Sequence, residues 1–388
     1  MDVEYSPFDH ATHQDPFPVY ARLLAEAPVY HSERDDFWAL TRHADVSAAL
    51  QDSARFSSSH GPLLDVPPWG PDAPRALSFV AMDPPRHTAL RALVSRGFTA
   101  RRVAALEPHI RGIARRHLAE ALRRDGGAFD FVEDFAIRVP LDVVSELIGV
   151  PGSDRDGVRR LAEASLQRED DGTGRISQRG LDAGAELAAY WARLIAERRR
   201  APAEDLLSVL CEELDDQEII PMLFVLLSAG SETTTNLLGH AWYWAWRNPD
   251  QRERAYADAG AWVEETLRYD PPAIGLARLL TEDIELHGVP IPAGARMWLL
   301  IAAANRDPRV FPDPDRYDLT RDTSRMISFG GGRHFCMGSA LGRLEARVAL
   351  QELAAAVADY EIDPAGARRS HIGNVRGFAT LPTVVKPR

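Results

Sequence analysis

The chain has 388 residues, 45% of them hydrophobic, enough to bury a large core. A formal charge of −12 argues against nucleic acid as a principal partner, and two cysteines rule out a disulfide framework and fit a reducing cytoplasm. Met1–Tyr20 lacks the apolar segment of a signal peptide, and the longest apolar run, around Met222–Gly230, falls far short of the roughly 20 residues of a membrane span, so a soluble cytoplasmic protein is expected.

No Gly/Ser tract, Pro-rich spacer, charge run or internal repeat offers a place to divide the chain, so residues 1–388 are expected to form a single domain. In chain order, Phe37–Thr41 reads as a short strand and Gly61–Pro74 as a Pro-rich loop. His87 and Arg91, four residues apart, share one helix face; taken alone, such a pair is a solvated surface feature. Val103–Arg124 repeats Leu106, Ile110, Ile113, His117 and Leu118 at helical spacing and stops at Gly126-Gly127. Leu181–Arg200 is a further helix, ending in basic residues that suit its C-terminus. Arginines cluster at Arg101-Arg102, Arg115-Arg116 and Arg198-Arg199-Arg200. These are solvated faces, although a local basic face can also dock a small acidic protein.

Asp215–Leu238 differs from the other helices. Asp215 and Glu218 make a capping box, Pro221 should kink the first turns, and apolar residues from Met222 onward predict burial on every side. Its centre nevertheless reads Ala229-Gly230-Ser231-Glu232-Thr233-Thr234. An acid and hydroxyls inside a core helix are costly without partners or a task. Back-bonding of the threonines to the preceding turn, and an arginine for Glu232, would satisfy them without any function.

Downstream, Ile284–His287 turning at Gly288 and Met297–Ile301 read as strands, and Phe311–Asp315 as a loop. Leu341, Leu344, Val348 and Leu350 form an apolar helical stripe. The whole is mainly α with small β-sheets.

The most specific segment is Phe329-Gly330-Gly331-Gly332-Arg333-His334-Phe335-Cys336-Met337-Gly338. Its glycines let the backbone turn tightly and approach a flat ligand, and Cys336 stands at the mouth of the following helix, where N–H groups favour a thiolate. Cys211 has no such setting and reads as an inert core residue. A cysteine-phosphatase loop needs a histidine beside the cysteine and an arginine after five residues. Here Phe335 intervenes and six residues precede Arg343. Zinc lacks further ligands nearby. A single thiolate on a planar metal cofactor remains.

These residues resemble the cytochrome P-450 family, whose signature Phe-Gly-x-Gly-x-His-x-Cys-x-Gly they match from Phe329 and Gly330 through His334 and Cys336 to Gly338. The resemblance implies the fold of that family, with a long central helix over haem b (iron protoporphyrin IX), and Cys336 as the iron ligand. Glu265-Thr266-Leu267-Arg268 resembles the family's Glu-x-x-Arg helix, a structural pair expected to be locked by an arginine or histidine from Asn305–Tyr317. His87, Arg91, Arg278 and His334 resemble the ligands of the haem propionates. Glu232 and Thr233 resemble the acid–alcohol pair that relays protons on the oxygen-binding face.

By the same resemblance, Val225, Ser228, Ala229, Ile274, Leu276 and Phe378 would line an apolar substrate pocket. Asp65–Arg75 and Gln167–Ser177, which cover that pocket in the family, follow no usable pattern here. The implied reaction inserts one atom of O2 into a hydrophobic small molecule, by hydroxylation or epoxidation, with natural-product tailoring preferred. Because the motifs use the whole length, electrons are expected from a separate ferredoxin with its reductase, docking near Arg333, Arg343 or Arg101-Arg102. Radical coupling without oxygen insertion is the alternative on the same haem. A non-enzymatic haem sensor would not need Glu232 and Thr233.

Overall fold

The computed structural model describes residues 3–65, 69–165, 176–370 and 374–388. Parts of the two divergent stretches, residues 66–68 and 167–175, lie outside these. Helices dominate. The expected helix at 103–124 is two, Ala100–Ala105 and Glu107–Leu122, because Pro108 starts a new first turn. The next long helix is Gln178–Arg200.

The central helix runs from Asp216 to Arg247, nine residues beyond the expected end. The Asp215 side chain caps it by accepting from the Glu218 N–H at 3.0 Å. Pro221 sits in the second turn without ending the helix, at the cost of the one bond an N–H there would make to the Gln217 carbonyl. Most of the central helix is buried, but not on every side: Ala229 is exposed and Ser228, Gly230, Glu232 and Thr233 are half-buried in mid-helix. Gly230 permits a close crossing with helix Arg138–Ile148, for a Cβ there would lie 2.8 Å from Val144 Cγ2.

One five-stranded sheet runs in the order Val29–Ser32, Phe37–Leu40, Arg296–Leu299, Leu276–Leu280, Phe56–Ser57. Only the pair Phe37–Leu40 with Arg296–Leu299 is parallel. A three-stranded sheet joins Ala128–Asp130, Pro382–Pro387 and Val357–Ile362. A third, two-stranded sheet is the hairpin Ile284–Leu286 with Val289–Ile291 around Gly288. Arg368–Arg369 with Phe378–Thr380 makes the fourth. The core beneath the central helix is anchored by Trp242, stacked between Phe131 (5.0 Å) and Tyr360 (3.5 Å).

The Glu265–Arg268 pair, on helix Ala259–Tyr269, is buried and bidentate at 2.8 and 2.7 Å. Arg268 also donates to the carbonyls of Asn305, Pro314 and Arg316, pinning the loop that leads to the cysteine segment. The third side chain is Arg321, 3.4 Å from Glu265, and not one from Asn305–Tyr317 as expected. Arg306 is spent on the Tyr269 carbonyl and Asp315, while Arg316 points outward. Among the described residues no helix is long and apolar enough to cross a membrane.

Candidate functional site

Cys336 ends a tight loop and precedes helix Ser339–Ala356. Its N–H donates to the Phe329 carbonyl at 2.9 Å, closing the loop on itself. Gly330 and Gly332 have φ of +71° and +61°, and a Cβ on Gly332 would stand 2.4 Å from the Leu50 carbonyl oxygen. The glycines are therefore demanded by conformation and by the backbone packed underneath. The Gly338 and Ser339 N–H groups reach the Cys336 sulfur. The cysteine is exposed, yet the protein crowded around its sulfur pushes its proton affinity up. Those two N–H groups and the charges of Arg91 and Arg343 oppose the rise without cancelling it.

Beside the loop, the helix Arg86–Ser95 presents His87 and Arg91 on one face. Arg91 donates to the Phe335 carbonyl at 2.6 Å. His87 and His334 lie ring against ring, centroids 4.1 Å apart. Both ring nitrogens of His87 and Nε2 of His334 are buried without a hydrogen-bond partner. Arg278, 4% exposed, donates only to the carbonyl of its own neighbour, Ala277, at 2.7 Å. Burial pulls Arg278 down to about 10. Burial, then Arg278, His87 and Arg91, pull His334 down to about 3. Burial and Arg91 likewise lower His87.

The carboxylate acting on Arg278 and His87 is Asp83, itself held by the Ser57 hydroxyl and the Ser58 N–H. One buried guanidinium and two neutral imidazoles short of hydrogen-bond partners suit a carboxylate-bearing edge, and a planar cofactor with two carboxylates fits it.

On the central helix, Ala229 is exposed and Thr233 half-buried. Thr233 donates to the Ala229 carbonyl at 3.0 Å, the back-bond that also offers a purely structural reading. Its oxygen keeps lone pairs free to accept from a ligand. Val225 is buried and Ser228 half-buried one to two turns earlier. Leu276 stands against Gly330 of the cysteine loop, which a Cβ at that glycine would meet at 3.7 Å. Ile274 is 2% exposed, with its side chain in the core under the five-stranded sheet beside Trp298 and Leu300.

Phe378 requires a correction. It lies in a strand and packs on His240 (5.9 Å), Tyr243 (5.0 Å) and the Arg369 guanidinium (3.7 Å). At 1.5 Å per residue, His240 is about 16 Å along the helix from the exposed Ala229, so Phe378 belongs to the core and not to the surroundings of Ala229. Among the basic residues expected at the cysteine side, Arg343 is not free. It makes a bidentate pair with Glu264 at 2.6 and 3.1 Å and lies over Phe329. Arg101, Arg102 and Arg333 are exposed.

Two site features were not anticipated from sequence: Asp83, and the carboxyl of Glu345 in the helix after Cys336. Glu345 follows Leu341 by four residues, so the spacing of the apolar stripe already put it on the buried face.

A family model described as Cytochrome P-450 matches residues 256–355. Cytochrome P-450 123 of Mycobacterium tuberculosis is 47% identical over 397 residues, covering 100% of this chain and 98% of the relative. The erythromycin C-12 hydroxylase of Saccharopolyspora erythraea is 38% identical, with 93% and 92% covered. A solved cytochrome P-450 from Chondromyces apiculatus superposes with a TM-score of 0.88 at 33% identity, covering both chains fully.

Proposed function

Because this chain belongs to the cytochrome P-450 family of haem-iron monooxygenases, we propose that it hydroxylates or epoxidises a hydrophobic small molecule in the tailoring of a natural product. Residues 1–388 act as one catalytic domain in this reading. The observation that carries it is the pairing of an exposed cysteine, Cys336, with a neighbouring set of under-bonded groups, His87, Arg278 and His334. Haem b is the form expected, since Cys211, the only other cysteine, is packed in a separate core region and offers no second attachment.

When bound, the haem iron supplies oxygen activation, and the thiolate of Cys336 pushes electron density toward the iron. The protein's own residues do the rest. His87, Arg91, Arg278 and His334 pair the propionates, while Phe329 and the glycines at 330 and 338 shape the loop around the sulfur. Thr233 accepts a hydrogen bond on the oxygen side, and Glu232 passes protons from solvent to it. Val225, Ser228, Ala229 and Leu276 offer the substrate an almost wholly apolar wall, which favours a ligand with few charges.

The erythromycin hydroxylase among the relatives supports the tailoring role. Electrons come from a ferredoxin and its reductase, docking on the cysteine side around Arg101, Arg102 and Arg333.

The deciding experiment is the absorption spectrum of the dithionite-reduced protein with and without carbon monoxide. A strongly red-shifted Soret band that disappears in Cys336→Ser is the expected result. Absence of haem, or the shorter-wavelength band of a histidine-ligated protein, rejects the assignment.

A further inference from the structure

The helix that follows Cys336 carries a carboxyl group with no part in the chemistry described above. Glu345 is 1% exposed, and neither of its carboxyl oxygens has a hydrogen-bond partner. It shares the inward face of Leu341, Leu344 and Val348. Burial raises its proton affinity well above the ordinary carboxylate range. The one polar group acting on it, the Thr234 hydroxyl, favours ionisation too weakly to reverse that. An ionised carboxylate without a partner would be far costlier here than a neutral acid.

The opposite wall is the central helix, where three threonines follow one another and do not behave alike. Thr233 donates back to the Ala229 carbonyl at 3.0 Å, and Thr235 donates back to the Ser231 carbonyl at 2.8 Å. Thr234, 5% exposed, faces the helix after Cys336 instead. A Cβ on Gly342 would stand 3.4 Å from its Oγ1, and Gly342 and Glu345 lie three residues apart on the same face. Thr234 is thus near enough to act on Glu345, although the present geometry falls short of a hydrogen bond. Rotation of the carboxyl about its last side-chain bond, a soft torsion, can complete it.

We propose that Glu345 is a positioning residue: as a neutral acid it donates to the Thr234 hydroxyl, and so steadies the Gly230–Thr233 stretch of the central helix from the side of the Cys336 helix. The link joins the helix that begins at the iron-binding thiol to the helix that bears the acid–alcohol pair. It also keeps the Thr234 hydroxyl away from the Gly230 carbonyl, in the one turn where Gly230 is pressed against Val144.

The placement of Thr233 on the oxygen side rests on the haem reading above, whereas the protonation state of Glu345 does not. The test therefore has two arms, both on the haem-loaded full chain. Infrared spectroscopy of the wild type should show a protonated-carboxyl band that persists above the pH at which ordinary carboxyl groups ionise and is lost in Glu345→Gln. Absence of that band overturns the proposal, whatever cofactor is bound.

In the second arm, carbon monoxide on the reduced protein reports the oxygen side through its stretching frequency. Glu345→Leu and Thr234→Val should shift the frequency alike, with no further shift in the double variant, while Glu345→Gln, which keeps a donor, should retain the wild-type frequency. Independent shifts, or a Glu345→Gln shift as large as that of Glu345→Leu, overturn it. If Glu345→Leu does not fold, Glu345→Gln and Thr234→Val alone decide: a wild-type frequency in the first and a shift in the second are required. A protein that binds no haem would sink the monooxygenase assignment while leaving the carboxyl band to be judged by itself.

Discussion

His87 and His334 stack at 4.1 Å with an interplanar angle of 34°, and three of their four ring nitrogens are buried without a hydrogen-bond partner. Two imidazoles from segments almost 250 residues apart in sequence are thereby pressed together next to Arg278, in a place that favours neither as a cation. Haem propionates would relieve this. His334→Ala and His87→Leu are expected to lower haem retention while leaving the Soret position unchanged, because neither touches the sulfur. Haem transfer to an acceptor protein measures it, and unaltered retention in both variants would separate these histidines from the cofactor.

The same crowding sets a pH dependence. His334 is held at about 3 in the folded chain, against an ordinary value of about 6.5. The unfolded chain therefore binds the extra proton first as pH falls, so the His334 contribution to stability is present above about 6.5 and is lost progressively toward 3. Urea midpoints of the haem-free chain should fall across that window, and the slope should be smaller in His334→Ala.

Gly332→Ala tests the loop by another route. The substitution forces a side chain into φ +61° and brings its Cβ to 2.4 Å from the Leu50 carbonyl. The left-handed conformation alone costs about 1–2 kcal/mol, and the backbone contact adds to it. Expected are a lower melting temperature and substoichiometric haem, read by calorimetry and by the ratio of Soret to protein absorbance. An unchanged holoprotein would show that the loop can shift away.

For Thr233→Ala, haem content should be normal, but a larger share of the electrons should leave as hydrogen peroxide, and product formation should fall by about 10²-fold or more if proton positioning is its task. Electron consumption that stays tightly coupled to product would leave Thr233 with only its back-bond to Ala229.

Arg268→Ala would strand the Glu265 carboxylate in the core and free the carbonyls of Asn305, Pro314 and Arg316. Breaking a buried pair from one side typically costs about 3–5 kcal/mol. The expected outcome is little soluble holoprotein. A stable, haem-replete variant would mean that Arg321 suffices.

The cysteine loop and the existence of the main helices were legible in the sequence because local rules govern them, whereas helix ends were not: the central helix runs on to Arg247 and the 103–124 segment divides in two. Glycines appear where φ is positive, an aspartate caps the central helix, and apolar residues recur at helical spacing. The Glu265–Arg268 pair was legible only as a motif, since an i,i+3 ion pair looks the same on a surface as in a core. What the sequence left undecided concerns partners far apart in the chain. Arg321 stands where a residue of 305–317 was expected, Arg343 is claimed by Glu264, and Phe378 packs behind the central helix on His240 and Tyr243.

The carboxyl of Glu345 is the sharpest case. Helical spacing marks it as inward-facing, but whether an inward acid meets an arginine, a water or a lone hydroxyl depends on which helix crosses there. The sequence by itself determined the chemistry this chain can carry, because the identity and spacing of the ligating and turning residues are local properties. Only the tertiary structure decided which charges are paired and which are left to act, because burial and long-range contact set the protonation of each group.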